Sequence, residues 1–154
     1  MSEKTLVFKQ TNKINDIVNI VNHNAEVFTA TTGFSWSLDN IKKELKEGWK
    51  LYSVSLDEDI VAALFIKIDN GILYTKNTPI KLQYQGNGFS HLIKEFYEEE
   101  ALNLGLKSVF NYCPSDNFRM ISLNERHDYK RTGKVLGKNK DILEWEKKIN
   151  KKNT

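Results

Sequence analysis

The chain has 154 residues, 40% hydrophobic and 28% charged, with a formal net charge of +3. That size and balance describe one domain, residues 1–154, with one core, and exclude a low-complexity or disordered chain. No apolar run approaches the roughly 18 residues that a membrane span requires. A single cysteine, Cys113, excludes an internal disulfide and a Cys-rich zinc centre. His23, His91 and His127 form no ligand-spaced pair, so no metal is expected. The start, Met1-Ser2-Glu3-Lys4, lacks the layout of a secretory leader, which points to the cytoplasm. The positive excess favours an anionic ligand but falls short of a nucleic-acid binder. Much of it lies in Lys147-Lys148-Ile149-Asn150-Lys151-Lys152, read as a solvated, flexible tail over 147–154; a polyanion-binding arm is the competing reading.

In chain order, Thr5–Gln10 reads as a first strand. Ile14, Ile17, Val18, Val21, Ala25 and Phe28 recur at helical spacing and predict a helix over about 13–28. Thr29–Trp36 reads as a loop ending in two aromatics. Ser37 caps a second helix with Leu38, Ile41 and Leu45 inward and Gly48 at its end. Three strands follow over about 49–56, 60–68 and 71–78. Asp57-Glu58-Asp59 and Asn70-Gly71 supply the turns between them. The run from Ile60 to Ile68 is nearly all apolar, as in a central strand covered on both faces.

A third helix starts near Gly86, with a stripe of Phe89, Leu92, Ile93, Phe96, Tyr97, Ala101 and Leu104, and ends at Gly105. Lys107–Cys113 reads as a strand, and Asp116 or Asn117 caps a fourth helix over about 118–126. Tyr129–Lys138 and Asp141–Ile149 complete the chain as two strands. The order β-α-α-β-β-β-α-β-α-β-β predicts a mixed α/β (α+β) domain.

The chemistry concentrates in Gln85-Gly86-Asn87-Gly88-Phe89-Ser90, between a strand and a strong amphipathic helix. Glycine lets backbone amides approach a ligand closely. The first amides of a helix lack internal partners and carry partial positive charge. Together they make a pyrophosphate seat, to which Gln85 and Asn87 add side-chain donors. A glycine turn without a ligand is the competing reading. A P-loop is excluded because Gly133-Lys134 and Gly137-Lys138 are followed by Val135 and Asn139. A dinucleotide fingerprint is excluded because His91 stands where a third small residue belongs.

The turn follows a three-strand meander, and in that position it resembles the phosphate signature of the GNAT acetyltransferases, Gln/Arg-x-x-Gly-x-Gly/Ala. Gln85, Gly88 and Ser90 fill the three fixed places, with the frequent extra glycine at Gly86. Ile80-Lys81-Leu82 stands where that family often has Val-x-Pro. A second resemblance lies downstream, to Asn-x-x-Met-apolar-x-Leu/Ile-Asn-Glu-x-x-Gly-Phe. It covers Asn117, Met120, Ile121, Leu123, Asn124 and Glu125, with Asp128 and Tyr129 in the Gly and Phe places. Asn111 also recurs in that branch.

The resemblance implies a GNAT fold, a mixed and mostly antiparallel sheet of about seven strands flanked by four helices. It implies acetyl-coenzyme A as co-substrate and an amine acceptor, small molecule or peptide, attacked directly without a covalent enzyme intermediate. The pantetheine arm would follow Thr78, Ile80, Lys81 and Leu82 as an added strand. The pyrophosphate would sit on Gln85, Gly86, Asn87, Gly88, Phe89 and Ser90, with Asn117 facing the arm. Asn124 takes the place where many members have a proton-donating Tyr and is assigned to catalysis and to the coenzyme, with Tyr74 as a second catalytic residue. His23 and Glu26 are further candidate bases. Phe34, Trp36 and Asn111 are assigned to the acceptor. Cys113 reads as a small buried residue. No nucleic acid or membrane partner is expected, and the state is monomer or homodimer. The competing function is a GNAT-fold acyl-coenzyme A or partner-binding module without efficient turnover.

Overall fold

The computed structural model describes residues 5–11, 38–78, 80 and 84–149. The helix expected over about 13–28, the loop carrying Phe34 and Trp36, and the cap at Ser37 lie outside these. Ten elements follow: β1 (Val7–Gln10), α1 (Leu38–Lys46), β2 (Lys50–Leu56), β3 (Asp59–Asp69), β4 (Ile72–Asn77), α2 (Phe89–Asn103), β5 (Ser108–Pro114), α3 (Phe118–Arg126), β6 (Lys130–Leu136) and β7 (Ile142–Lys148). The strands form one seven-stranded sheet in the order β1-β2-β3-β4-β5-β7-β6. No helix among the described residues is long and apolar enough to cross a membrane.

Two compact units divide the described chain, one running to Ile66 and including Asn77–Phe89, the other Lys67–Lys76 and everything from Ser90. In the first, β1, β2 and β3 pair antiparallel. Asp57 and Glu58 both take positive φ, 49° and 71°, the twist a two-residue hairpin needs between strands of right-handed twist. Every residue from Val61 to Ile66 is buried, as expected of a strand covered on both faces. Ile41, Leu51, Ala63 and Phe65 form the core, with Leu38, Leu45 and Trp49 packed on it.

In the second unit β4 and β5 are parallel, and β5, β7 and β6 are antiparallel. A parallel pair needs a crossover, and α2 supplies it. Its inward stripe is Phe89, Ile93, Tyr97 and Ala101, all buried, while Leu92 and Leu104 of the expected stripe are 36% and 53% exposed. Lys147 and Lys148, read above as the start of the tail, belong to β7, opposite Val109 and Ser108. Lys147 and Lys148 therefore do not belong to a flexible tail, because they are paired along a strand.

Candidate functional site

Residues Tyr84–Gly88 form a turn held by its own side chains. The Tyr84 hydroxyl donates a short hydrogen bond to Asp59 Oδ2, and the Tyr84 ring leans on Phe89, with centroids 6.5 Å apart. Gln85 Nε2 donates to the Ile80 carbonyl at 2.9 Å, and Asn87 Nδ2 to the Tyr84 carbonyl at 3.1 Å. Both amides, expected to reach a phosphate, thus hold the shape of the turn. Gly86 and Gly88 have φ of +84° and +76°, in the left-handed region that strains side chains. No described atom lies within 4 Å of where a Cβ would stand at either. The turn is an open cradle of backbone leading directly into α2, and its residues fit a pyrophosphate.

The strand before the turn lies between β3 and β5, and its ladder with β5 is short. The β4–β5 ladder joins Ile72, Leu73 and Tyr74 to Ser108, Val109 and Phe110, and the Thr75 hydroxyl donates to the Phe110 carbonyl at 2.8 Å. Among the described residues it goes no further, while β5 continues to Pro114 along β7. Thr78 stays bound to β3: its N–H donates to the Ala63 carbonyl at 2.9 Å, and its Oγ1 accepts the Ala63 N–H at 3.0 Å. Buried Thr78 therefore turns its N–H toward β3, and the Ile80 carbonyl serves Gln85. Lys81 and Leu82 lie outside the described residues.

Beyond Phe110 the two faces of β5 differ. On one, the Tyr74 ring lies 5.5 Å from that of Phe110. Next along β5, the Tyr112 hydroxyl donates to Glu144 Oε2 at 2.8 Å, and the Thr132 hydroxyl donates to Glu144 Oε1 at 2.8 Å. Burial first, then the bond to Glu144, pushes the Tyr112 phenol well above its ordinary range, so it stays protonated. Sequence reading missed this cluster. Its one signal was alternation, which sends Phe110 and Tyr112 to the same face.

On the other face Asn111 and Asn124 pair through both halves of their amides, at 2.8 and 3.1 Å, and both are buried. This pair ties α3 to β5 and leaves neither side chain turned to a ligand. Asn117 caps α3 through its Oδ1, which accepts the Met120 N–H at 3.1 Å. Cys113 is buried, and burial raises its thiol to about 11, so it carries no thiolate at neutral pH. Phe34, Trp36, His23 and Glu26 lie outside the described residues. No group of three or more metal-ligating side chains is assembled among the described residues.

No family model and no curated protein sequence matches the chain. Solved structures match it in fold. The ribosomal-protein-S18-alanine N-acetyltransferase of Escherichia coli superposes with a TM-score of 0.74 at 12% identity, over 94% of each chain. An acetyltransferase of the GNAT family from Streptococcus pneumoniae gives 0.68 at 16% identity, over 94% of this chain and 100% of its own. A Salmonella typhimurium protein solved with acetyl-CoA as its cofactor gives 0.69 at 11%, over 95% of each chain. At these identities the likeness is one of architecture: the chain has the GNAT fold, a mixed α+β sheet of seven strands with helices.

Proposed function

We propose that the chain is an N-acetyltransferase that moves an acetyl group from acetyl-coenzyme A to an amine by direct attack in a ternary complex. The observation that carries this reading is the open glycine cradle at the start of α2, directly after a strand whose parallel ladder stops at Tyr74 and Phe110. The neighbour solved with acetyl-CoA supports the cofactor, and the Escherichia coli and Streptococcus pneumoniae neighbours support the reaction class.

Bound acetyl-coenzyme A would supply a thioester already activated for acyl transfer. The amides of Gly86 to Ser90 would neutralise its pyrophosphate. Asn117 would offer the arm its Nδ2, the half of the amide that capping leaves over. The amine lone pair attacks the carbonyl carbon, the C–N bond forms and the C–S bond breaks. A thiol of pKa about 8.5 leaves as thiolate without a donor, so Asn124 in the usual Tyr place is tolerated. Glu144 is the proton acceptor we assign to the amine. Its carboxylate is aligned by Tyr112 and Thr132, and Tyr74 lines the approach.

A binding module without turnover is the second reading, favoured by the burial of Asn124 against Asn111. Thiol release from acetyl-coenzyme A, followed across a panel of amines and amino-terminal peptides, separates the two. Turnover with any acceptor at ordinary enzyme rates supports the transferase. Tight binding with no thiol release from any acceptor leaves the module.

A further inference from the structure

His91 and His127 stand 36 residues apart in the sequence and meet in the fold. His91 lies in the first turn of α2, and His127 is the C-cap of α3. Their ring centroids are 5.0 Å apart, and His91 Nδ1 faces His127 Nε2 at 2.8 Å. The contacts continue behind His127. Its Nδ1 lies 3.2 Å from Glu98 Oε2, and Lys147 Nζ of β7 donates to Glu98 Oε1 at 2.9 Å. The His127 side chain is 13% exposed, so these partners rather than solvent set where its hydrogens sit. All four residues belong to the second unit.

This row of contacts fixes the hydrogens of the neutral pair. A carboxylate only accepts, so His127 Nδ1 carries a hydrogen and donates to Glu98. Nε2 of the neutral His127 ring is then a lone pair, and His91 Nδ1 carries the hydrogen of the contact between the rings. One added proton leaves this contact in place. It enters at His91 Nε2, which no hydrogen bond among the described residues uses; one hydrogen still lies between the rings, and the bond becomes charge-assisted. A second added proton has to enter the contact itself. Both facing nitrogens would then carry hydrogens across 2.8 Å, between two like charges. The groups around the pair come from three elements. Glu98 and, one turn on from His91, the exposed Glu95 belong to α2, as does the buried Lys94, whose Nζ stands 4.6 Å from the centre of the Tyr129 ring. Lys147 belongs to β7, and the exposed Arg126 and Asp128 flank His127 at the end of α3. Burial holds His127 below its ordinary 6.5; Glu98 opposes this, while His91 and Lys147 add to it. A group held below its unfolded value contributes stability above that value and loses it as pH falls.

We propose that His91 and His127 form a proton-operated latch between the first turn of α2 and the end of α3. The latch is closed while the pair is neutral or holds one added proton, and it opens when both facing nitrogens carry hydrogens. Opening releases the C-cap of α3 from α2. The latch stands on this geometry and is independent of the proposed reaction.

Two measurements on the full chain test it, from about pH 8 down to about pH 4.5. The first is the scalar coupling between the two ring nitrogens across the N–H···N bond, by NMR of protein labelled in its histidine ring nitrogens. It should be present at the upper end and vanish on acidification while the circular dichroism spectrum stays that of the folded chain. This measurement needs no variant, so it decides even where a variant fails to fold. The second is a double-mutant cycle of His91→Ala and His127→Ala by urea unfolding at each pH. The cycle removes whatever all four proteins share, including the buried Lys94 amine, which burial lowers to about 7 and which titrates in the same range. The two histidines should be coupled by about threefold or more in the unfolding equilibrium near pH 8, and the coupling should disappear on acidification. Absence of the coupling between the nitrogens near pH 8 would overturn the proposal. So would a coupling, in either measurement, that persists unchanged until the whole chain unfolds.

Discussion

Asn111 and Asn124 are 13 residues apart, one on β5 and one on α3, and each satisfies the other's amide in the interior. Leucine at either position leaves the partner amide buried and unpaired. Each single variant should therefore lose about 1–3 kcal/mol, and the double variant less than their sum, in a double-mutant cycle by denaturant unfolding. Asn124 was legible as a motif position, but its pairing was not, because a contact across a helix and a strand leaves no local spacing. Lys94 was illegible for a related reason: it stands next to Ile93 and three before Tyr97, where an apolar stripe hides a buried cation. In the folded chain its amine titrates near 7 instead of the ordinary 10.5. Between those values the unfolded chain binds a proton that the folded chain does not, so stability rises with pH. The wild type should gain stability between about pH 7 and pH 10. Lys94→Met should be flatter across that window in urea melts. Glu144 belongs to the proposed chemistry. Glu144→Gln should lower kcat about 100-fold or more while leaving acetyl-coenzyme A affinity within about twofold, read by steady-state kinetics and calorimetry.

The three described helices end alike. After α1, Gly48 donates to the Leu45 carbonyl and Trp49 to that of Glu44; after α2, Gly105 donates to Leu102 and Leu106 to Ala101. After α3, Asp128 donates to Glu125 and Tyr129 to Asn124. Each closes in the same two-bond cap around a left-handed residue, at φ of 98°, 69° and 65°. Only at Asp128 is that residue not glycine, so Asp128→Gly should stabilise the protein by about 1 kcal/mol, raising Tm by about 2–4 °C. The glycine ends of the first two helices and the cap of the third were readable in the sequence, since caps and turns depend on local chemistry. The hairpin at Asn70-Gly71 was readable for the same reason, with φ of 51° and 78°. The exposed outer residues of the α2 stripe were not, because periodicity finds a face without fixing its width.

At the scale of the whole molecule, the order of the described elements was legible, because a meander followed by a helix and further strands admits few sheets. The end of the β4–β5 ladder was not, since neither Thr75-Lys76-Asn77 nor Asn111-Tyr112-Cys113 carries a local signal of where the pairing stops. That end, with the cradle after it, is the basis of the functional reading. Calorimetric titration of acetyl-coenzyme A into the wild type and Gly88→Glu tests it most directly. The variant places a carboxylate in the open space beside the backbone amides and in a left-handed conformation. The account predicts saturable, one-to-one binding by the wild type and a loss of at least tenfold in affinity for a variant that remains folded. Absence of binding to the wild type at millimolar acetyl-coenzyme A, or equal affinity in the two proteins, would contradict it.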